Sequence, residues 1–222
     1  MSKIKGFENR ASTGNISSNN EYLEGTAIVF DSVSEVLAMK IKDETVLFRE
    51  QISKNALENC PLDRVICCAD HDESIFLGIA PKTLELNVTD RGLDYKCLLP
   101  PSKKQLIEER VNRKEYEGNS FRFAVTEGGD SWEKMPDGTY LRTINQIGYI
   151  AHVGPVFNPA YTQTDLQLAQ RSFEVCINIE ISQDDDKQPE GEGMDGEGMQ
   201  DDSMSQKKEL IRLRQRKAKA MC

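Results

Sequence analysis

The character of the chain changes after Ser182, and this change limits how much of it can fold. Residues 183–202 contain nine acidic residues and one lysine, and Gly-Glu-Gly-Met occurs twice within them. Such a stretch cannot bury enough apolar surface to offset its chain entropy. We therefore predict a disordered acidic linker at 183–205, followed by a short basic helix at 206–222. The folded domain is expected at 22–182, after an N-terminal extension at 1–21.

The segment between these limits is rich in patterns typical of β-strands. Apolar residues alternate with polar ones, or form short β-branched runs between turn residues, and both patterns favour strands over helices. A helix is expected from Ser102 to about Tyr116, where Ser102 and Gln105 fit a capping box. The fold class is thus mainly β (α+β). The predicted strands lie at 25–30, 46–50, 64–69, 83–88, 93–98, 119–126, 139–146, 147–153 and 173–181.

Charge and cysteine usage exclude several classes of protein. The net charge is −9; 183–202 contributes −8 and 206–222 contributes +6, so the remainder of the chain carries a clear negative charge. A folded domain of that charge is unsuited to specific nucleic-acid binding. The six cysteines form no CxxC pair and only two histidines are present, so we expect no metal, no cofactor and a reducing compartment. No signal peptide or membrane span is predicted.

Three residues are candidates for chemistry. His71 follows the predicted strand 64–69, and His152 lies at the end of the strand 147–153. Ser120 follows Gly118-Asn119 at the start of an apolar strand, a position that suits an exposed nucleophile near backbone N–H groups. Considered singly, each histidine is more often a structural residue than a catalytic one, and a Gly-x-Ser tripeptide is common by chance.

Five motifs in one order give the chain a family resemblance. They are Glu24-Gly-Thr-Ala-Ile-Val-Phe30, Phe48-Arg-Glu50, Asp70-His71-Asp72 with Leu77-Gly78, Asn119-Ser120-Phe-Arg-Phe123 with Trp132, and Val156-Phe-Asn-Pro-Ala-Tyr161. The set, covering about 22–168, resembles the prohead proteases of tailed phages. That family's fold is similar to herpesvirus assemblin, so the resemblance implies a closed or partly closed β-barrel with flanking helices.

The resemblance also implies a function. It implies a serine endopeptidase that cleaves capsid and scaffold protein, and itself, inside the assembling prohead in the host cytoplasm. Ser120 takes the place of the nucleophile and His71 that of the general base. A homodimer is a candidate assembly state, because related assemblins need dimerisation for activity.

Two positions depart from the family pattern. Arg122 replaces the glycine of Ser-Phe-Gly-Phe. If the strand alternates, Arg122 shares a face with Ser120 and can approach the oxyanion or a substrate carbonyl. The alternative is that Arg122 is a solvated arginine on the strand. His152 stands where many relatives have glutamate. It is the predicted third member of a Ser-His-His triad, as in assemblins. The alternatives are Asp70, Asp72 or Glu50 as the third member, or a purely structural His152.

Other functions remain open at this stage. The chain can be an inactive relative that acts as a capsid assembly or scaffolding protein. An esterase or amidase is less compatible, because the Gly-x-Ser-x-Gly elbow is missing. The basic tail, with Leu210, Ile211 and Leu213, is a candidate for docking onto scaffold or capsid protein, and it is also a candidate for removal by self-cleavage.

Overall fold

A computed structural model describes residues 6–12, 15–19, 21–41, 44–157, 169–170 and 172–175. Most of these residues lie in strands. The elements in chain order are β1 (Glu8–Ser12), β2 (Ile16–Ser18), β3 (Tyr22–Val29), β4 (Leu37–Ile41), β5 (Glu44–Ile52), β6 (Ile66–Cys68), a 3-10 helix (Glu73–Ile75), β7 (Phe76–Ile79), β8 (Leu84–Val88), β9 (Gly92–Leu98), α1 (Pro101–Asn112), β10 (Gly118–Val125), β11 (Asp130–Lys134), β12 (Tyr140–Ile144) and β13 (Ile147–Val156). The mainly β class is therefore confirmed.

The strands form three sheets. Their orders are β1-β10-β13-β6-β7, β11-β12-β5-β4 and β2-β3-β9-β8. Among the described residues the sheets are not closed into a barrel, so the predicted barrel is wrong. Closure requires the two edge strands of a sheet to pair, whereas β1 and β7 stand at opposite edges of the first sheet. Alternation in a sequence shows which face of a strand is buried, but it does not show the strand's partners.

The five-stranded sheet positions the candidate residues. Strand β10 lies between β1 and β13, antiparallel to both. Phe121 and Phe123 enter the main hydrophobic core. Because side chains alternate along a strand, Ser120 and Arg122 project from the opposite face. This face carries the candidate site.

Gly154 allows the sheet to pack closely beside Ser120. It pairs with Ser120 across β10 and β13. A Cβ atom at this position would lie 1.9 Å from the carbonyl oxygen of Cys68, far inside van der Waals contact. Glycine is therefore required for β13 to approach the end of β6 at this point.

The stretch that the sequence analysis set apart as an N-terminal extension contributes two strands. β1 pairs with β10, and β2 pairs with β3. β1 has no apolar alternation because its buried side chains are Glu8 and Arg10. Its place in the sheet depends on charge pairing, which a search for hydrophobic periodicity does not detect.

The charges of β1 belong to a buried ion cluster, formed by Glu8, Arg10, Glu50 and Arg142. The guanidinium of Arg10 contacts Glu50 and lies 2.6 Å from Glu8. Arg142, which is fully buried, lies 2.7 Å from Glu8 and 2.8 Å from Glu50. It is also 2.7 Å from Asp130. The cluster joins β1 of the first sheet to β5 and β12 of the second.

Two local predictions require correction. The predicted strand at 173–181 is wrong where the structure describes it, since residues 172–175 are helical. Phe173 packs edge-on against Trp132 and Tyr140. A residue on a helix can make these aromatic contacts as well as a residue on a strand.

The helix predicted from Ser102 is present as α1, but it begins at Pro101, after Pro100, and has no side-chain cap. Proline suits the first helical turn. The predicted linker and tail lie outside the described residues.

Candidate active site

Ser120 and His71 form the closest pair of candidate catalytic groups. The Oγ atom of Ser120 lies 2.6 Å from Nε2 of His71. The serine is 3% exposed, so its hydroxyl is shielded from bulk water. A hydroxyl in hydrogen-bond contact with an imidazole is the arrangement needed for proton transfer from a serine nucleophile to a base.

The loop after β6 holds His71 in an unusual backbone conformation. Asp70 and His71 have φ values of 54° and 60°, in the left-handed region that non-glycine residues rarely adopt. The backbone N–H of Asp70 donates to the Pro155 carbonyl at 2.9 Å, and the Asp70 carboxylate accepts from the Phe157 N–H at 2.9 Å. Both bonds tie the loop to the end of β13. Strained residues held this way are typical of functional sites.

His152 lies beside His71 on the same face as Ser120. It pairs with Arg122 across β10 and β13, and directly opposed residues of an antiparallel pair share a face. The imidazole rings of His71 and His152 have centroids 4.9 Å apart and planes inclined by 56°. The ring of His152 is 1% exposed, and its Nε2 has no hydrogen-bond partner within the described part of the chain.

The surroundings of His152 keep it neutral. Burial, then the charge of His71, then that of Arg122 lower its pKa from 6.5 to about 3. The ring is therefore uncharged at all pH values near neutrality. It can hold a neighbouring imidazole by contact, but it does not supply the negative charge that a carboxylate would.

The three carboxylates predicted as alternatives have other partners. Glu50 belongs to the buried ion cluster, where Arg10 and Arg142 hold its pKa below the usual value despite burial. Asp72 accepts a bond of 2.8 Å from the Ser74 N–H and begins the 3-10 helix. Asp70 accepts from Phe157, and burial raises its pKa.

The structure reveals one active-site group that the sequence analysis missed. The backbone carbonyl oxygen of Arg10 lies 2.7 Å from Oγ of Ser120 and accepts its hydrogen bond. The hydroxyl carries a single proton, so Arg10 and His71 are alternative acceptors for it. In the sequence, Glu8 and Arg10 carry opposite charges two residues apart. This pattern gives no reason to place these residues beside the nucleophile.

Further features define the class of chemistry. Within the described ranges, no group of three histidine, cysteine, aspartate or glutamate side chains is placed to hold a metal ion. None of the helices there is long and apolar enough to cross a membrane. The contact between the Ser120 hydroxyl and the His71 imidazole fits acyl transfer as a reaction class.

Comparison with known families agrees with this class. Residues 6–178 match the family described as caudovirus prohead serine protease. The match spans most of the chain, and the chain belongs to this family. The predicted membership is confirmed, and it gives the protein a protease role in capsid maturation. No curated protein and no solved structure matches significantly.

The depressed pKa of His152 predicts a loss of stability in acid. In the unfolded chain this histidine takes up a proton near pH 6.5, whereas in the folded protein it resists protonation down to about pH 3. The unfolded state thus binds more protons within this window, and stability falls as the pH is lowered through it. Between pH 7 and pH 5 the expected loss is about 2 kcal/mol.

Urea denaturation at the two pH values measures this effect. Because carboxylates titrate in the same range, the parent is compared with His152→Gln, which has a side chain that does not titrate there. We expect the pH-dependent drop in the free energy of unfolding to be smaller in the variant. Equal drops in both proteins would contradict the assignment of a neutral His152.

Proposed function

We propose that the protein is a serine endopeptidase in which Ser120 is the nucleophile, His71 the general base and His152 the third member of the triad. The observation that carries the proposal is the 2.6 Å contact between Ser120 Oγ and His71 Nε2. Membership of a serine protease family supports it. The contact of Arg122 to the oxyanion or to a substrate carbonyl, predicted from the sequence, is not part of this proposal.

The reaction follows acyl-transfer chemistry. Oγ attacks the scissile carbonyl carbon while its proton moves to Nε2 of His71. The tetrahedral intermediate then collapses, the C–N bond breaks, and His71 gives the proton to the leaving amine. Water attacks the acyl-enzyme and its proton passes to His71. Release of the new carboxylate returns that proton to Ser120.

His152 acts by orienting the base. Its ring packs against that of His71 and limits how the imidazole can turn. Since it is neutral, it stabilises an imidazolium less than a carboxylate does. A modest turnover is expected, which suits an enzyme that works at high local concentration inside a shell.

The substrates that we propose follow from the family. They are capsid and scaffold proteins within the assembling prohead in the host cell, together with the chain itself. Docking of the 206–222 segment onto scaffold or capsid protein remains part of the proposal. If a chain ending at Ser182 entered proheads as efficiently as the full chain, docking through this segment would be ruled out.

The first test compares the full chain with Ser120→Ala. Both are incubated for several hours and followed by intact-mass spectrometry. We expect the parent to shorten at defined sites and Ser120→Ala to stay whole. A fluorophosphonate probe should label the parent at Ser120, because only an activated serine reacts with it.

Ser131→Ala is a suitable control, since Ser131 is an exposed serine in β11. It should be cleaved and labelled as the parent is. If the parent neither shortens nor takes up the probe, and does not cleave capsid protein added as substrate, the enzyme assignment fails. The chain would then be an inactive assembly protein.

A further inference from the structure

Arg122 differs from the other arginines buried near the site. The guanidinium groups of Arg10 and Arg142 are surrounded by carboxylates of the ion cluster. Arg122 is half-buried, yet within the described residues its guanidinium has no ion pair or hydrogen bond. A half-buried guanidinium that has no carboxylate partner is free to pair with an anionic group of a ligand.

This guanidinium belongs to a residue on the same face of the sheet as the candidate catalytic groups. Arg122 is two residues beyond Ser120 on the same face of β10 and lies opposite His152 in β13. Its charge contributes to the depressed pKa of His152 and offsets part of the rise in the pKa of the Cys68 thiol. Its guanidinium carbon lies 5.3 Å from the centre of the Phe7 ring. Phe7 packs edge-on against Tyr149, with centroids 5.9 Å apart, and is 38% exposed. The aromatic contact fixes the arginine beside the nucleophile.

The charge around the site is divided into two sides. Burial raises the pKa of the Cys68 thiol to about 12, the charges of Glu73, Asp72 and Asp70 add to this rise, and Arg122 opposes it. A negative substrate group is therefore repelled by the 70–73 loop and attracted by Arg122. The planar guanidinium can bind both oxygens of a carboxylate at once.

We propose that Arg122 and Phe7 form a subsite that selects an acidic side chain of the substrate next to the scissile bond. This deepens the proposed function and rests on it. Phe7 supports the stem of the acidic residue, and Arg122 pairs with its carboxylate. The substrate class is an acidic peptide segment.

The chain itself contains such a segment. Residues 190–199, Glu-Gly-Glu-Gly-Met-Asp-Gly-Glu-Gly-Met, contain four acidic residues and no basic one. This sequence makes the linker a natural first substrate for self-cleavage. The net charge of the whole chain is −9, so overall electrostatics would repel an acidic peptide rather than attract it.

The test uses two peptides, residues 190–199 and a counterpart in which the four acids are the corresponding amides. Binding is measured by fluorescence anisotropy on the full-length Ser120→Ala protein, which cannot cleave either peptide. We expect the acidic peptide to bind at least about tenfold more tightly, the worth of one charge-assisted pair. Adding Arg122→Gln should remove the preference, and Arg122→Lys should retain part of it.

Arg113→Gln is the matched control. Arg113 is an exposed arginine on the surface, and its loss should leave the preference unchanged. If Arg122→Gln and Arg113→Gln reduced the preference equally, the basic tail or general charge would explain it and the subsite would be rejected.

Cleavage of the same peptides by the active chain separates the subsite from other roles. We expect Arg122→Gln to raise KM for the acidic peptide and to leave the amide peptide unaffected. An equal loss of kcat on both peptides would assign Arg122 to the oxyanion and overturn the proposal. If no peptide is cleaved and the probe labels nothing, while the acidic preference in binding persists, the protease function fails and the acid-binding site stands.

Discussion

Replacing His71 by alanine is expected to lower kcat/KM for peptide cleavage by about 10⁴-fold or more. Nε2 of His71 is 2.6 Å from the Ser120 hydroxyl, so its removal leaves the proposed nucleophile without a base that can take up its proton. Steady-state cleavage of a peptide substrate measures the loss. Labelling by the fluorophosphonate probe should fall in parallel, because it depends on the same activated hydroxyl.

His152→Ala provides the comparison for this experiment. Because His152 acts through His71, its removal should cost less activity than His71→Ala while leaving the site assembled. Circular dichroism confirms that both variants fold. A loss from His152→Ala as large as that from His71→Ala would give both rings equal importance and contradict the role of His152 as an orienting residue.

Replacing Arg142 by methionine is expected to cost about 3–5 kcal/mol of folding free energy. Arg142 is fully buried and pairs with Glu8, Glu50 and Asp130. Its loss leaves three buried carboxylates near a single remaining cation, Arg10. Urea denaturation at neutral pH measures the change.

Arg113→Gln again serves as the reference. Arg113 pairs with Glu109 and Glu115 on the surface, where its side chain is 64% exposed, and exposed pairs contribute little. Its replacement should change stability by no more than about 0.5 kcal/mol. If both substitutions had similar small effects, the buried cluster would not be what holds β1 in place.

Much of the central fold could be predicted from local patterns. The hairpin of β8 and β9 follows from alternation on either side of Asp90-Arg91-Gly92, and β10, β12 and β13 from their apolar runs. β1 could not be found in this way, because charged side chains fill its buried positions. The absence of a closed barrel depends on which strands are partners, and periodicity does not contain that information.

The candidate site could likewise be predicted only in part from the sequence. Ser120, His71 and His152 could be singled out because the chain has so few histidines and the family motifs surround them. The contact of Ser120 with the Arg10 carbonyl could not, since any residue has a backbone oxygen and only strand pairing brings this one to the hydroxyl. The contact of Arg122 with Phe7, and its lack of a carboxylate partner among the described residues, are likewise properties of three-dimensional packing.

The position of β1 has a consequence for the timing of synthesis. The Arg10 carbonyl and the Ser120 hydroxyl are 110 residues apart along the chain. The sheet around them also contains β13, which is synthesised after β10. Contacts this distant form only after the intervening chain has left the ribosome. A chain that ends before β13 is thus expected to lack the assembled site and its proteolytic activity.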